Sequence, residues 1–433
     1  MFCISLACHC GSGPEMSSQD QLPNIVLISI DTLRPDHLGC YGGLPEVSPN
    51  IDRFSQDSVV FTQAIAHAPS TLPSHASIFT SLIPQHHGAS HTQNVPLSQE
   101  ALTLTEVLAA AGYLTVAVVG GGQLDRAFGL SQGFQVYDQV DGSFREVVEL
   151  GLRRLDEPGD RPFFLFLHTY EVHHPYSPDQ NRLEALDRGY NGPLPDEISI
   201  DLLKSINRSQ VQIDDRDLLH IKRAYDAEIQ SMDEAFGDLV AQLRTLGLYE
   251  TALVVFTSDH GEEFAEHGMV GWHSHTLYEE LLRVPLIFKF PRQKASTTTI
   301  HSVARGIDIA PTLLDVAAIE KPGAFDGRSL LTDLRSDHPL DLPVVLLRDT
   351  TLKDTVETGG LRIGKWKLAE GRVFDLERDP GELADLASSR AQVADDLKTQ
   401  LEKIIARRQP MVSEKLHLDE KTREDLRALG YLE

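Results

Sequence analysis

The chain has 433 residues, a formal net charge of −25 and 41% hydrophobic content, which suffices for a large α/β domain with a smaller companion and a full core. So acidic a chain lacks the clustered Lys and Arg that a phosphate backbone requires, which excludes nucleic acid as a partner, and its composition is neither disordered nor fibrous. Of its 4 cysteines, Cys3, Cys8 and Cys10 open the chain and only Cys40 lies in its body, so no disulfide framework follows.

The opening Met1–Cys8 is apolar, without a basic start, and too short for a full signal peptide or a membrane span. Residues 1–22 are read as a disordered leader or signal remnant. Leu6-Ala7-Cys8 is only roughly like a lipidation site, so export to the periplasm, with or without a lipid anchor, is expected while a cytoplasmic place stays open. Cys8-His9-Cys10 has no matching ligand pair downstream and is assigned to the leader, not to a metal knuckle. No later segment is apolar enough to cross a bilayer.

The main domain is expected over residues 23–341. Asn24–Ile30 is a continuous β-branched run ending at Asp31, the mark of a strand buried on both faces. Helical spacing from Ala101 to Ala111 stops at Gly112, and a strand Leu114–Val119 then meets the turn Gly120-Gly121-Gly122. Phe163–Leu167 reads as another buried strand, followed by His168, Glu171, His173 and His174. A long helix is expected from about Asp217 to Leu246, closing at Gly247 and leading into the apolar run Leu253–Ser258, after which come Asp259 and His260. Alternating strands and helices imply an α/β fold with a mostly parallel central sheet and ligand sites beyond the carboxyl ends of its strands, where each of these polar clusters falls. From 342 to 433 short strands (Val344–Leu347, Leu361–Leu368, Val373-Phe374) and a charged helix Ala391–Arg408 suggest a smaller α+β subdomain.

A carboxylate and an imidazole side by side at the end of a buried strand are what a metallohydrolase needs, and Asp31 repeats the arrangement. In Ser70-Thr71-Leu72-Pro73-Ser74-His75, hydroxyl groups surround a proline, and a helix beginning near Ser74 would turn its N-terminal amides toward whatever Thr71 contacts. Taken alone, this segment would be read as ordinary N-cap residues.

It does not stand alone. Ile30-Asp31-Thr32-Leu33-Arg34-Pro35-Asp36, Ser48-Pro49-Asn50, the Thr71 segment, Ser258-Asp259-His260-Gly261, Tyr278-Glu279-Glu280 with Arg283-Val284-Pro285, Asp308-Ile309-Ala310-Pro311-Thr312, Gly327-Arg328-Ser329-Leu330 and Asp379-Pro380-Gly381-Glu382 occur in this order. The succession resembles the sulfatase family within the alkaline phosphatase superfamily and extends over nearly the whole chain from Asn24. The departures matter as well. Thr71 stands where the family carries the Cys or Ser that is oxidised to formylglycine, His75 replaces the following arginine, the usual Asp-Asp pair is Asp31-Thr32, and Gly120-Gly121-Gly122-Gln123 replaces a Gly-Lys-Trp-His segment. What remains is similar to the phosphatase and phosphodiesterase branch, which implies a direct Thr nucleophile and one metal held by Asp31, Thr71, Asp259 and His260. A second metal is implied at Glu171, His173 and His273, with His174 and His275 as near rivals.

The resemblance thus implies one or two divalent metal ions, Zn or Mn in preference to Ca because of His260. The metals would activate Thr71 and, roughly 3.5–4 Å apart, clamp the attacking and leaving oxygens of an in-line displacement. His75, or whichever of His273 and His275 is not a ligand, would protonate the leaving oxygen. His168 is expected to be a buried core histidine and His86-His87 a surface or outer feature of the site. The run Glu262, Glu263 and Glu266 reads as a solvated face, and His267, before Gly268, falls on a loop either lining the cleft or outside it. The expected function is metal-dependent hydrolysis of phosphate or sulfate esters on a small molecule, glycan or lipid-derived alcohol. Alternatives are a phosphoglycerol- or phosphoethanolamine-type transferase and a sulfatase-like binding protein without catalysis. The oligomeric state has no signature here.

Overall fold

The run Ile25–Ile30 (β1) lies inside an eight-stranded sheet, parallel to Phe163–Thr169 (β5) on one side and Leu253–Ser258 (β6) on the other. Val26, Ile28 and Ile30 pack into one apolar layer, while Ile25 and Leu27 pack into the other. Burial on both faces is why the run shows no polar alternation. The computed structural model describes residues 22–155, 161–293, 297–335, 342–348 and 358–432; the expected leader and its cysteines lie outside them.

The other strands of this sheet are Val59–Ile65 (β2), Leu114–Val119 (β3), Val136–Gln139 (β4), Arg283–Lys289 (β9) and Thr298–Arg305 (β10), with Glu263–Phe264 (β7) and Val270–Trp272 (β8) forming a separate short pair. Across the sheet the order is β10-β2-β9-β6-β1-β5-β3-β4, and β9 runs antiparallel to both its neighbours while every other pairing is parallel. Helices cover both faces. The long one, Asp215–Thr245, starts two residues earlier than its apolar spacing suggests, because Asp214 accepts from the backbone of Arg216 and Asp217 and completes a capping box with Asp217. Thr103 and Glu106 cap Leu104–Ala110 in the same way, which places that helix start three residues beyond Ala101. Among the described residues no helix is long and apolar enough to cross a membrane.

Val344–Leu347 (β11), Gly359–Ile363 (β12), Trp366–Ala369 (β13) and Arg372–Asp375 (β14) form a small antiparallel sheet. Leu361–Leu368, expected to be one strand, is therefore a hairpin, turned at Gly364 with a φ of 54°. Helix Ala391–Ile405 buries Ala394, Leu397 and Leu401 against this sheet. Lys367, fully buried, ties it to the larger layer through Glu279 at 3.0 Å and also pairs with Glu382, just beyond β14, at 2.9 Å.

Beyond that helix the chain returns to the main sheet. Met411 N donates to His86 O, Leu416 N donates to Asn94 O, and helix Glu420–Ala428 sets Leu426 into the core over β3 and β5. The described residues of this stretch pack in two places, around the small sheet and along the returning strap, and the strap brings Tyr431 to the Thr71 end of the main sheet.

Candidate metal centre

Register puts the key carboxylates together. Ile30 pairs with both Thr169 and Ser258, so Asp31 and Asp259, each the first residue past its strand, emerge at one level. Asp31 N donates to Thr169 O at 3.1 Å, and the next residue, Thr32, takes a left-handed φ of 56°, held by a hydrogen bond from Tyr225 Oη to Thr32 O. A non-glycine residue in that region is strained, and here it turns the chain sharply away from the site.

Helix Thr71–Thr80 begins on Thr71 itself, three residues before the expected start near Ser74. Its first turn is pinned from two sides: Leu72 N donates to Gln123 Oε1 at 3.0 Å, and Ser74 Oγ donates to Asp259 O at 2.6 Å. Thr71 Oγ1 lies 3.1 Å from Asp31 Oδ2 and 3.5 Å from His260 Nε2. Asp31, Thr71, Asp259 and His260 are all fully buried.

The protonation pattern of this group favours a cation. His260 Nδ1 is 2.9 Å from Gly261 O, and a carbonyl only accepts, so Nδ1 carries a proton and Nε2 is the nitrogen that faces inward. That nitrogen is 3.6 Å from Asp259 Oδ2 and 3.9 Å from Asp31 Oδ1, and these two buried carboxylate oxygens have no hydrogen-bond partner. Burial pushes Asp31 up to about 6, against the pull of His260, and burial together with Asp31 raises Asp259. Their negative charges in turn raise His260 despite its burial. Two carboxylates forced together away from water, with unpartnered oxygens beside an imidazole nitrogen and a hydroxyl, fit a divalent cation. Asp31, Asp259 and His260 lie close enough to share one ion.

A second cluster, His173, His174 and His273, sits beside it, with His260 and His273 rings 4.6 Å apart. Glu262 organises this cluster: its Oε1 takes His273 Nδ1 at 3.0 Å, its Oε2 takes His174 Nδ1 at 3.4 Å, and Tyr176 Oη donates to Oε2 at 3.1 Å. His173 Nδ1 is bonded to His174 O at 2.5 Å. Each ring is thereby held through Nδ1 and presents Nε2, the arrangement by which outer carboxylates and carbonyls orient metal-binding histidines. Burial keeps His273 neutral, at about 3, and lowers His173 further below its ordinary value. Burial opposes the ionised form of Glu262, but His273 and His174 hold its carboxyl well below the usual range.

Several expected roles change. Glu171 is not in this cluster: its carboxylate accepts from Phe144 N at 2.6 Å, at the start of helix Phe144–Arg154, and His174 stands in the group instead. His75 points along its own helix, with Nδ1 bonded to Thr71 O at 2.9 Å and Nε2 to Ser29 Oγ at 3.0 Å. Burial lowers it to about 4, and both its ring nitrogens are engaged, one by the Thr71 backbone and one by Ser29. His168 is buried as expected, but it also reaches the site, with Nε2 3.3 Å from Asp31 Oδ2. The Glu run is not a solvated face. Glu262 and Glu263 are fully buried, and Glu263 accepts from the backbone of His267 and Met269 and pairs with His275 Nε2 at 2.7 Å. Glu266 binds Arg34 at 2.9 Å. His86 and His87 are buried below the Thr71 helix, where His87 Nε2 lies 3.1 Å from Pro73 O. His267 stacks on Tyr278 and bonds Glu280 at 2.7 Å. His275 remains partly exposed. Burial works against its charge, yet the bond to Glu263 leaves it more readily protonated than a free imidazole.

Two residues at the site escaped sequence reasoning. Glu262 was hidden by its acidic neighbours, although its position two residues after His260 was the available signal. Tyr431 Oη lies 2.9 Å from Thr71 Oγ1 and 3.2 Å from His173 Nε2, and nothing local to Tyr431 marks it as part of a site 360 residues away from Thr71 in sequence.

The Sulfatase family model matches residues 23–319. An ulvan-active sulfatase of Formosa agariphila is 26% identical over 75% of this chain and 67% of its own length, and arylsulfatase K of Bos taurus is 25% identical over 91% and 83%. Among solved structures, the phosphonate monoester hydrolase of Agrobacterium radiobacter superposes with a TM-score of 0.70 at 20% identity, covering 92% of this chain and 98% of that one.

Proposed function

The chain belongs to the sulfatase family, and from that premise we propose that it is a metal-dependent hydrolase of phosphate esters in which Thr71 is the nucleophile. The observation that carries this reading is the set of unpartnered buried oxygens, Asp31 Oδ1 and Asp259 Oδ2, facing His260 Nε2 with Thr71 Oγ1 beside them. Asp31, Thr71, Asp259 and His260 would hold one divalent ion, and His173, His174 and His273 a second. Imidazole donors favour Zn or Mn over Ca. Bound there, the ions supply the positive charge that stabilises the Thr71 alkoxide and draws an anionic ester into an otherwise acidic chain.

The chain's own groups do the rest. The first helical turn, braced by Gln123 and His75, holds Thr71 Oγ1 at a fixed place. Asp31 Oδ2 accepts the hydroxyl hydrogen bond and so aims a lone pair away from the carboxylates. Attack of Oγ1 on phosphorus forms the Thr71 ester as the bond to the departing alcohol breaks, and water then releases the group. His275, the expected donor with a raised proton affinity, is assigned to protonate the leaving oxygen, which requires its Nε2 to leave Glu263.

Threonine favours phosphate because a plain hydroxyl, and not a hydrated aldehyde, is the attacking group. Sulfate esters are the second reading, supported by the sulfatase names of the relatives. A glycan or other small anionic ester is the substrate class, and the apolar opening Met1–Cys8 supports export. Metal analysis of the purified chain, joined to a panel of phosphate monoesters, diesters, phosphonate monoesters and sulfate esters in water and with added alcohols, tests the reading. Metal-dependent release of phosphate is expected. A metal-free chain that turns over nothing would support a binding protein, and transfer to the added alcohol would support a transferase.

A further inference from the structure

Thr71, the residue that must meet the ester, has no exposed surface, and the Tyr431 phenol lies against its hydroxyl. Around Thr71 Oγ1, one direction is occupied by Asp31 and His260 and another by the Tyr431 phenol at 2.9 Å. Attack requires the reacting atom at about 3–3.5 Å from the nucleophile, with the leaving group in line behind it. The phenol oxygen, 2.9 Å from Thr71 Oγ1, stands within the distance that atom must reach.

The strap is seated by close fitting. After helix Glu420–Ala428, Tyr431 N donates to Leu426 O at 2.8 Å, and Gly430 turns with a φ of 79°. A Cβ on Gly430 would come within 3.1 Å of His174 Nε2, so glycine lets the backbone lie directly on the second histidine cluster. Leu429 occupies space left by Gly122, where a Cβ would stand 2.6 Å from Leu429 Cδ1. On either side of Tyr431 and Leu432 a cavity opens. One, of about 270 Å³, is lined by His91, Thr92, Gln123 and Phe128; the other, of about 280 Å³, is lined by Lys204, Asn207, Arg208, Met269 and Trp272. Neither is lined by an acidic side chain, in a chain with 64 acidic and 39 basic residues.

We propose that residues Leu429–Leu432 form a removable plug over the nucleophile, and that an anionic ester gains access by displacing Tyr431, which joins the two flanking cavities into one cleft with Lys204 and Arg208 on its wall. This inference rests on Thr71 being the nucleophile, and it assigns the resting chain to a closed state. Only the fraction of molecules with the strap released binds substrate, so apparent affinity is reduced by that fraction. The contacts that hold the plug are the phenol's two hydrogen bonds, the Tyr431 ring against His91, His173 and His273, the packing of Tyr431 and Leu432 on the core, the Leu429 seat and the turn at Gly430. Weakening them therefore raises activity instead of lowering it.

The experiment uses the full chain loaded with Zn or Mn, with Tyr431→Phe, Tyr431→Ala and Leu429→Ala/Tyr431→Ala compared on p-nitrophenyl phosphate and p-nitrophenyl sulfate. Losing the two phenol hydrogen bonds should raise kcat/KM about tenfold in Tyr431→Phe, with a larger gain once the ring is removed. Unchanged or reduced kcat/KM in all three folded variants, beside an active wild type, would overturn the plug. Modification by diethyl pyrocarbonate, localised by peptide mass spectrometry on the metal-free chains, gives a readout independent of turnover. His173 and His174 should be protected in the wild type and modified several-fold faster in Tyr431→Ala; equal rates overturn the plug. Should none of the chains hydrolyse either ester, the nucleophile assignment fails while the labelling still decides whether the strap covers the cluster.

Discussion

Replacing Asp31 with Asn should stabilise the metal-free chain and at the same time remove the metal response of the Asp31 site, leaving that of the histidine cluster. Asp31 is fully buried, and its pKa rises from 3.8 to about 6 in the folded state. The folded chain therefore holds a proton that the unfolded chain has lost between those two values, so stability falls as pH rises through that window and stays low above it. A shift of that size corresponds to about 3 kcal/mol. Asp31→Asn removes the ionisation, and its carbonyl oxygen can still accept from Thr71 and His168, which now share Oδ2. At pH 8 without metal the variant should be more stable than the wild type by up to about 3 kcal/mol, with the two converging near pH 4. With Zn or Mn at a hundredfold excess over the Kd, each occupied site should add about 2.7 kcal/mol, so the variant should lose the gain of the Asp31 site and keep only that of the histidine cluster. Denaturant titrations at the two pH values, with and without metal, read all of this. A variant less stable than the wild type when metal-free, or one that retains the full metal gain, would refute the assignment of Asp31 as a carboxylate held for a cation.

Glu262→Gln should weaken metal binding at the histidine cluster by about 10–100-fold, because Glu262 holds both His174 and His273 through Nδ1; calorimetric metal titration should show one weakened step, and unchanged affinity would mean that Glu262 does not orient the ligands. Glu228, buried in the long helix and accepting from Ser177 N, is raised by burial from 4.5 to about 7. Its folded form keeps a proton that the unfolded form loses, so it lowers stability as pH rises through that interval, by about 3 kcal/mol in total. Glu228→Gln should therefore gain stability over the wild type at pH 8 and match it at pH 4 in urea titrations.

Much of the first cluster was legible because its logic is local. Asp31 and Asp259 each follow a run whose two-sided burial leaves a continuous apolar signature, and a parallel sheet sets such strand ends at one level. Thr71 was marked by its place in a family-like order of motifs. The same order pointed to Glu171, yet the backbone after β5 turns that side chain toward the Phe144 helix start and sends His173 and His174 inward. Glu262 looked like part of a solvated acidic face because charge runs usually are. It is buried because the chain after β6 folds back under His273 instead of leaving the surface. Strands β2, β9 and β10 were harder to see: β2 and β10 carry partly exposed polar residues, and β9 enters antiparallel, outside the alternation of strand and helix that made the rest readable. Tyr431 depends wholly on the returning strap, a long-range contact with no periodicity to announce it.

The central claim is that Thr71 takes the group from the ester. Metal-loaded chain mixed with a phosphate ester and quenched in acid within a single turnover should yield a phosphorylated peptide carrying Thr71, and Thr71→Ala should show neither adduct nor turnover while still binding metal at the histidine cluster. An adduct on a different residue, or steady hydrolysis by Thr71→Ala, would contradict the account.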